Sequence, residues 1–386
     1  MKGVQFFGRE DVRFSHLVPE PQIRHPADVL IDVAWCGICG SDLHEYLHGP
    51  IFFESNATDA GNNISGKKMP LCLGHEFSGV VKAVGPGVTK VKTGDRVVVE
   101  PTGHCRDRVR YSEFLDKERI EEPLCAACKN GMTNICIYNG LCGLGVDNGA
   151  LADLVTYGED HVLKIPDNIP LDIAALIQPL AVAWHAVEVA HVVAGSSALI
   201  LGGGPIGLAV VLALQGHGVN RILVSEPAEV RRKQAASLGC ETFDPMTVKA
   251  EKIGILREAA PGGEGFDYSF DCSGIPATFK ASIEALAPRG TAVNVAIWPK
   301  QPIPHYVMDL TYQEKRATGS MCYTMKDFED VVDALETGKI DLRSVERLIT
   351  GKILLEHTVE KGLLELVKHK EKHVKILITP KHLELV

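Results

Sequence analysis

The stretch Ser197-Ala-Leu-Ile-Leu-Gly-Gly-Gly-Pro-Ile-Gly207 decides the fold of this chain. A short apolar run leads into Gly202, Gly204 and Gly207, and an apolar helical pattern follows over residues 208–214. A strand, a glycine-rich turn and a helix in this order let the backbone approach a pyrophosphate, which the unpaired N–H groups of the helix N-terminus attract. The stretch therefore predicts a dinucleotide-binding domain.

The next strand carries the signal that separates NAD from NADP. It covers residues 221–225 and ends at Glu226, nineteen residues after Gly207. A carboxylate at this point can accept both ribose hydroxyls and would repel a 2′-phosphate, so the pattern favours NAD. Arg231 and Arg232 are the counter-signal, although on a helix they could also lie over the adenine.

Strands and helices keep alternating downstream, which predicts an α/β fold with a doubly wound parallel sheet. Strand-like runs lie within residues 265–274 and 291–297, with a helical pattern over residues 276–286 between them. Ser273 and Val295 come at the carboxyl ends of these runs, where ligands bind in parallel sheets. We assign residues 179–321 to this NAD-binding domain.

The region before residue 100 has a different pattern, with short β-branched runs separated by turn signals. The runs are at residues 29–35, 77–84 and 96–101, and they predict an antiparallel, barrel-like sheet. A last apolar strand over residues 374–380 is expected to return to this sheet. The other domain is therefore expected to be discontinuous, with residues 1–178 and 322–386.

A metal site is predicted at Cys36-Gly-Ile-Cys-Gly-Ser-Asp-Leu-His44, completed by Gly74-His75-Glu76. A thiolate and an imidazole are ligands that Zn²⁺ selects, and a catalytic zinc keeps one position open beside three protein ligands. Cys39 and His75 are the expected ligands, with Glu76 either the third ligand or a carboxylate just outside. Asp42 would orient His75, since metal-bound imidazoles usually donate their other N–H to an oxygen.

Two further side chains of this stretch suit proton transfer. Ser41 and His44 would form a hydroxyl-to-imidazole path leading away from the metal. Gln178, at the domain boundary, is a possible weak or water-bridged ligand, or only a polar residue at a helix end. The alternative for the whole stretch is that Cys36 and Cys39 form a redox pair or are buried thiols.

A second cysteine cluster predicts a closed structural zinc site in a lobe of about residues 104–137. Four thiolates can surround one tetrahedral Zn²⁺, and a bound ion would order this polar segment. His104 could replace the first cysteine as fourth ligand, and buried unliganded thiols are the alternative. The four candidate ligands are Cys105, Cys125, Cys128 and Cys136.

Composition and charge limit the kinds of partner. The chain has 386 residues and a formal charge of −9, which argues against nucleic acid or an anionic membrane surface as partner. It has no apolar run of membrane-spanning length and no secretion signal at its N-terminus, so the cytoplasm is expected. The polar segment 54–68 is expected to be a surface loop that walls a pocket.

With these residues in view, the sequence resembles the zinc-dependent medium-chain alcohol dehydrogenases over nearly its whole length. Within that family it is most similar to the fungal (R,R)-2,3-butanediol dehydrogenases, with the polyol dehydrogenases as near relatives. The motifs that carry the resemblance are Trp35-Cys-Gly-Ile-Cys-Gly-Ser-Asp-Leu-His-Glu-Tyr-Leu-His-Gly-Pro50, Leu73-Gly-His-Glu-Phe-Ser-Gly-Val-Val81 and Gln178-Pro-Leu-Ala-Val-Ala-Trp-His-Ala-Val187.

The resemblance implies a GroES-like barrel for the catalytic domain, a Rossmann cofactor domain, and a homodimer or homotetramer. It assigns Cys39, His75 and Glu76 to the catalytic zinc, and Ser41 and His44 to the proton relay. It also places the four lobe cysteines on a structural zinc, and Glu226, Arg231 and Ile206 on NAD.

The chain departs from the family pattern at three places. Gln178 stands where close relatives commonly have Glu, and the cysteine lobe has an insertion after Cys105. Cys322 stands where sorbitol dehydrogenases have Arg, which removes a donor that could hold a long polyol.

The activity implied is reversible oxidation of a vicinal diol to a hydroxyketone, with (R,R)-2,3-butanediol and acetoin as the expected pair. A xylitol or sorbitol dehydrogenase is the first alternative, and a non-catalytic nucleotide-binding descendant is the second.

Overall fold

The structure is a computed structural model that describes residues 1–55, 57–58, 61–247, 254–298 and 302–381. The chain forms two compact units. The first comprises Met1–Gln178, Thr324–Val332 and Ile349–Val386, and the second comprises Pro179–Tyr323 and Asp333–Leu348.

The strands of the described residues are, in chain order, β1 (Gly3–Gly8), β2 (Asp11–Ser15), β3 (Asp28–Gly37), β4 (Ala57–Thr58), β5 (Gly61–Asn62), β6 (Leu71–Cys72), β7 (Glu76–Val84), β8 (Arg96–Val99), β9 (Thr102–Gly103), β10 (Gly140–Leu141), β11 (Leu154–Gly158), β12 (Val162–Lys164), β13 (Ser197–Leu201), β14 (Arg221–Ser225), β15 (Glu241–Phe243), β16 (Phe266–Asp271), β17 (Leu286–Asn294), β18 (Arg316–Gly319), β19 (Ile349–Leu354) and β20 (Lys375–Thr379).

The α-helices are α1 (Gly40–His48), α2 (Phe52–Ser55), α3 (Lys117–Glu121), α4 (Ala126–Lys129), α5 (Leu171–Ala174), α6 (Ile177–Val189), α7 (Pro205–Gly216), α8 (Glu229–Ser237), α9 (Gly254–Glu258), α10 (Pro276–Glu284), α11 (Met308–Thr311), α12 (Met325–Glu336), α13 (Leu342–Glu346) and α14 (Leu364–His369). A π-helical turn, Thr358–Leu363, precedes α14, and short 3₁₀ turns include Asp107–Tyr111 and Glu159–His161.

The first unit is built around a seven-stranded sheet. Its order is β12-β8-β7-β3-β20-β19, and β11 also pairs with β3. Val29, Ile31 and Val33 of β3 are fully buried while the residues between them are partly exposed, which is the period of two expected for a strand with one face on the core. The three β-branched runs predicted as strands correspond to β3, β7 and β8, so this part of the prediction is confirmed.

The closing strand joins the same sheet. β20 pairs with β3 in antiparallel register, with Leu377 opposite Gly37 and Ile378 opposite Cys36. The predicted boundary placed residues 322–386 in the first domain, whereas Asp333–Leu348 groups with the second unit. These residues include the end of α12 and all of α13, so the chain crosses between the units more often than the strand pattern indicated.

The second unit contains a six-stranded parallel sheet of order β15-β14-β13-β16-β17-β18. Helix α7 follows the central strand β13 and is apolar on every side, and residues 207–214 are buried. Pro205 at its first turn suits a helix start, because that N–H has no intrahelical acceptor. The α/β class and the doubly wound sheet predicted for this region are confirmed.

The segment 54–68 differs from the surface loop that was predicted. Asn56, Asp59 and Ala60 lie outside the described residues, but Asn62, Ile64 and Ser65 are buried. The side-chain amide oxygen Oδ1 of Asn62 accepts the backbone N–H groups of Ile64 and Ser65. Among the described residues, no helix combines the length and apolarity needed to cross a bilayer.

Candidate active site and metal centres

The first metal-ligand group forms where α1 and the start of β7 meet. Pairing of β3 with β7 sets Gly37 opposite Glu76, and Cys39 follows two residues later as the N-cap residue of α1. The Cys39 thiol, one imidazole nitrogen of His75 and a Glu76 carboxylate oxygen all lie within 4.8 Å of one another. His75 and Glu76 are almost completely buried. Two strands and a helix start therefore hold a thiol, an imidazole and a carboxylate at metal-binding separation.

Asp42 lies behind His75. Asp42 Oδ1 is 3.6 Å from His75 Nδ1, which is too long for a hydrogen bond, and neither atom has another hydrogen-bond partner in the described part of the chain. Burial alone would lower the pKa of His75, but Asp42 and Cys39 outweigh it and raise that pKa to about 9. Surroundings that favour positive charge on this imidazole also favour a divalent cation beside it, so the group fits zinc.

Lys375 of β20 is a member of this site that the sequence analysis missed. Its Nζ lies 2.8 Å from Glu76 Oε1 and 2.5 Å from Oε2, and it also donates to the Ile38 carbonyl at 3.2 Å. The side chains of both ion-pair partners are at most 3% exposed. A lysine inside the apolar run Val-Lys-Ile-Leu-Ile was the sequence signal, since a buried lysine needs an anionic partner.

Ser41 and His44, the two residues of the predicted proton relay, both lie on α1. Ser41 is buried and His44 is exposed. Ser41 Oγ is 3.2 Å from His75 Nε2, so the hydroxyl touches the metal-ligand group. Cys36 stays outside that group, and burial raises the pKa of its thiol well above the usual value, which keeps it protonated. Gln178 is buried at the start of α6.

The second group consists of the four lobe cysteines, whose sulfur atoms all lie within 4.8 Å of one another. The Cys125 sulfur is 3.9 Å from that of Cys105 and 3.8 Å from that of Cys136. A tetrahedral Zn²⁺ with Zn–S bonds of about 2.3 Å sets its sulfurs about 3.8 Å apart, so the cluster fits a closed zinc site.

Backbone N–H groups stabilise thiolate sulfur in this lobe. The N–H of Cys128 points at Cys125 Sγ, and that of Tyr138 points at Cys136 Sγ, each at 3.4 Å. Burial raises the pKa of Cys125, but the N–H groups of Cys128 and Ile137 outweigh it and lower that pKa to about 6. Thiolate is the form that binds a metal.

The glycine-rich turn has the shape that a dinucleotide requires. Gly202 adopts a φ of +108°, and a Cβ on it would lie 2.4 Å from Ser273 Oγ. A Cβ on Gly207 would lie 1.8 Å from the Gly202 carbonyl oxygen, so no larger residue fits. Gly204 is the N-cap residue of α7 and offers no side-chain acceptor to the N–H groups of the first turn. Those N–H groups can therefore face a phosphate.

Glu226 lies beside this turn. Its carboxylate accepts the backbone N–H of Gly203 at 2.7 Å and that of Ala228 at 2.8 Å. Arg232 is held elsewhere, since it forms an ion pair with Asp244 at 2.8 Å and donates to backbone carbonyls.

Three further predicted cofactor residues lie on the same unit. Arg231 extends along the start of α7, with Nη1 3.8 Å from where a Cβ on Gly204 would be. Ser273 and Val295 follow the carboxyl ends of β16 and β17, and the Ser273 hydroxyl donates to the Leu201 carbonyl at 2.9 Å. Ile206 is in the first turn of α7 and is partly exposed.

Fold and site together define a class of protein. Residues 25–167 match the family model described as the alcohol dehydrogenase GroES-like domain, and residues 205–337 match the one described as zinc-binding dehydrogenase. The chain belongs to this family of zinc-binding, medium-chain alcohol dehydrogenases and is an oxidoreductase.

Particular relatives are similar over nearly the full chain. It is 50% identical to a probable diacetyl reductase, (R)-acetoin forming, of Saccharomyces cerevisiae, covering 98% of this chain and 90% of the relative. It is 47% identical to the (R,R)-butanediol dehydrogenase of the same yeast, covering 98% of each. The crystal structure of 2R,3R-butanediol dehydrogenase from Bacillus subtilis superposes with a TM-score of 0.85 at 32% identity, covering 98% of this chain and 99% of that one.

Proposed function

We propose that this enzyme interconverts a vicinal diol and a hydroxyketone with NAD, and that its substrates are (R,R)-2,3-butanediol and acetoin. The observation that carries the proposal is the buried Cys39, His75 and Glu76 group in a chain 47% identical to a butanediol dehydrogenase over its full length. The choice of substrate in this proposal follows the name of that relative.

In this proposal Cys39 and His75 hold a catalytic zinc, and Glu76, which is also in an ion pair with Lys375, is either the third ligand or a carboxylate just outside. Gln178 stays a possible additional ligand. The tetracysteine cluster holds the structural zinc, with Cys105 as its first ligand because this sulfur lies with the other three. When bound, zinc supplies Lewis-acid polarisation of a substrate oxygen, and NAD supplies the hydride acceptor.

The residues of the chain then orient groups and move a proton. Ser41 Oγ takes the proton of the substrate hydroxyl, because it is the hydroxyl that lies against the metal-ligand group at 3.2 Å from His75. His44 lies one turn further along α1 and is exposed, so it passes the proton to solvent. Asp42 fixes the orientation of His75 through its charge.

The coenzyme is proposed to be NAD, held by Gly202, Gly204, Ile206 and Gly207 at the phosphates and by Glu226 at the ribose. The buried Glu226 carboxylate lies against Gly203 and would repel a 2′-phosphate. Arg231, Ser273 and Val295 are proposed as further contacts. We accordingly assign the first unit to catalysis and the second to coenzyme binding, and we expect a cytoplasmic homodimer or homotetramer.

Reduction of diacetyl is the second candidate, because the relative with 50% identity carries that name. In the substrates of both candidate reactions, the carbon atom next to the reacting carbon carries a second oxygen. A longer polyol is less favoured, since Cys322 supplies no guanidinium to hold extra hydroxyls.

The test is a substrate profile of the purified, zinc-loaded enzyme. NADH formation would be measured with the three stereoisomers of 2,3-butanediol, xylitol and ethanol, and NADH oxidation with acetoin and diacetyl. The highest kcat/KM with (R,R)-butanediol and acetoin is expected. A preference for diacetyl over acetoin selects the second candidate, and a preference for xylitol overturns both.

Two variants test whether the measured turnover depends on the predicted metal site. Cys39→Ala should abolish turnover with every substrate, whereas Cys240→Ala, which changes a cysteine of the other unit outside both metal-ligand groups, should retain it. Turnover retained in Cys39→Ala would remove this site from the proposal.

A further inference from the structure

The first unit contains a third group of side chains that could bind a metal ion, separate from the two groups already described. It consists of His104, Asp107 and His161, with Glu100 beside them. His104, His161 and Glu100 are at most 9% exposed. The proposed reaction uses none of the four residues.

The separations within this group are those of a chelating site. His161 Nε2 is 2.9 Å from Asp107 Oδ1, and His104 Nδ1 is 3.1 Å from Asp107 Oδ2. The two imidazole rings stack with their centroids 5.1 Å apart. A Zn²⁺ ion with bonds of about 2.0–2.2 Å to nitrogen and oxygen sets neighbouring ligand atoms a little over 3 Å apart. Small side-chain shifts would therefore allow the three residues to bind one ion.

Backbone pairing holds the group in place. His161 directly precedes β12, which pairs with β8, and the Glu100 N–H donates to the His161 carbonyl at 2.9 Å. The His104 N–H donates to Asp107 Oδ2 at 2.7 Å, and the Asp107 N–H donates back to the His104 carbonyl at 2.9 Å. The ligand residues therefore come from a tight turn and a strand end.

Two observations point to a metal ion and not only to a hydrogen-bonded network. His104 Nδ1 is buried, faces Asp107 and makes no hydrogen bond within the part of the chain that the structure describes. The other nitrogen of His161, Nδ1, lies 2.8 Å from Glu100 Oε2. A carboxylate on the far nitrogen of an imidazole is the usual partner of a metal-bound histidine, because it fixes the tautomer and the ring orientation.

We propose that His104 Nδ1, His161 Nε2 and Asp107 bind a third divalent transition-metal ion, with Zn²⁺ as its expected occupant and Glu100 as the residue that orients His161. Two imidazoles and one carboxylate suit zinc, cobalt or nickel better than calcium or magnesium. The carboxylates of Asp107 and Glu100 balance the two charges of the ion. Of the two arginines that flank Asp107 in the sequence, Arg106 donates to the Cys128 carbonyl and Arg108 forms an ion pair with Glu122.

The test is the zinc content per chain of the whole enzyme, dialysed against buffered free Zn²⁺ and measured by mass spectrometry. His161→Gln and His104→Asn should each contain one zinc fewer than the unmodified enzyme. His373→Gln is the matched control, because His373 also has a carboxylate partner, Glu365 at 3.2 Å, but no second imidazole in a metal-ligand group among the described residues. Equal zinc content in all four proteins would overturn the proposal.

A second measurement needs no variant and so does not depend on correct folding of one. The enzyme is first dialysed to two zinc ions per chain, so that the third site is empty, and Co²⁺ is then added and the visible spectrum is recorded. Binding with weak d–d bands and no thiolate-to-cobalt charge-transfer band is expected, since the site contains no sulfur. No binding, or binding with the thiolate band, would overturn the proposal. Butanediol turnover measured in parallel distinguishes failure of this site from failure of the proposed function.

Discussion

Lys375 pairs with the Glu76 carboxylate from a strand distant in sequence, and replacing it with Met should destabilise the protein. Removing one member of a buried ion pair leaves an uncompensated charge, which costs about 3 kcal/mol of unfolding free energy. Urea unfolding of the zinc-loaded protein measures this loss.

Two further variants control that prediction. Lys90→Met breaks the exposed pair with Asp160 and should leave the urea midpoint nearly unchanged. The double variant with Glu76→Gln should recover part of the stability lost in Lys375→Met, because the buried carboxylate is gone. Equal midpoints for Lys90→Met and Lys375→Met would contradict the buried-pair interpretation.

Substitutions of Ser41 and His44 can test the proposed proton transfer separately from metal binding. Ser41→Ala should lower kcat by about 100-fold, since a positioned proton acceptor contributes roughly that much, and zinc content should not change. His44→Gln should also lower kcat, and steady-state kinetics with (R,R)-butanediol measures both.

The neighbouring His48 offers the control for the relay. It is exposed on the same helix, with its ring centroid 5.2 Å from that of His44, and His48→Gln should turn over normally. A kcat that falls equally in His44→Gln and His48→Gln would indicate a general effect on α1 and not a proton path.

At the scale of elements, the proposed discrimination between NAD and NADP lies at the end of β14. Glu226→Gln keeps the size of the side chain and removes the charge that repels a 2′-phosphate. The ratio of kcat/KM for NAD to that for NADP should fall on the order of 100-fold, because juxtaposed like charges cost several kcal/mol.

Glu229→Gln is the matched control for that change. Glu229 is an exposed carboxylate on α8, paired with Lys233, and its replacement should not alter the coenzyme ratio. A ratio that stays the same in Glu226→Gln would mean that some other group discriminates against the 2′-phosphate.

The cysteine lobe should depend on its zinc for order. Cys128→Ser removes a buried sulfur from the cluster, so we expect one zinc fewer and rapid proteolytic cleavage between residues 105 and 136. Limited proteolysis followed by mass spectrometry locates the cut. Cys240→Ser should keep both its zinc content and its resistance to protease, and an intact lobe in Cys128→Ser would contradict a structural zinc there.

Local signals explain why most elements could be predicted. Each of these signals depends on residues close together in sequence. The glycine turn predicted β13 and α7, and the β-branched runs predicted β3, β7 and β8. The cysteine spacing predicted the cluster of four cysteines in the lobe. Lys375 could not be paired with Glu76 in advance, because 299 positions separate them. The sequence places His104 only beside the lobe cysteines, because His161 comes near it through the pairing of β8 with β12.

At the scale of the whole molecule, metal and coenzyme sites belong to different units. Cys39, His75 and the lobe cysteines lie in the first unit, and the glycine turn with Glu226 lies in the second. Chelation of zinc by dipicolinate should therefore abolish turnover while the NADH dissociation constant changes by less than about threefold.

NADH fluorescence titration before and after chelation measures that constant. Treatment with the same buffer without chelator is the control, and re-addition of Zn²⁺ should restore turnover. Loss of NADH binding together with the metal would show that the coenzyme site needs the zinc-binding unit to be intact.

The pairing of β20 with β3 also bears on how the enzyme is made in the cell. A ribosome adds residues in order, so β3 and the metal-ligand group around Cys39 emerge long before Lys375 can reach Glu76. During that interval the nascent chain carries free thiols and a carboxylate that lacks its lysine. The residues 179–323 of the second unit have all been synthesised by then. Metal loading of the site at Cys39, His75 and Glu76 is therefore expected to follow the synthesis of β20.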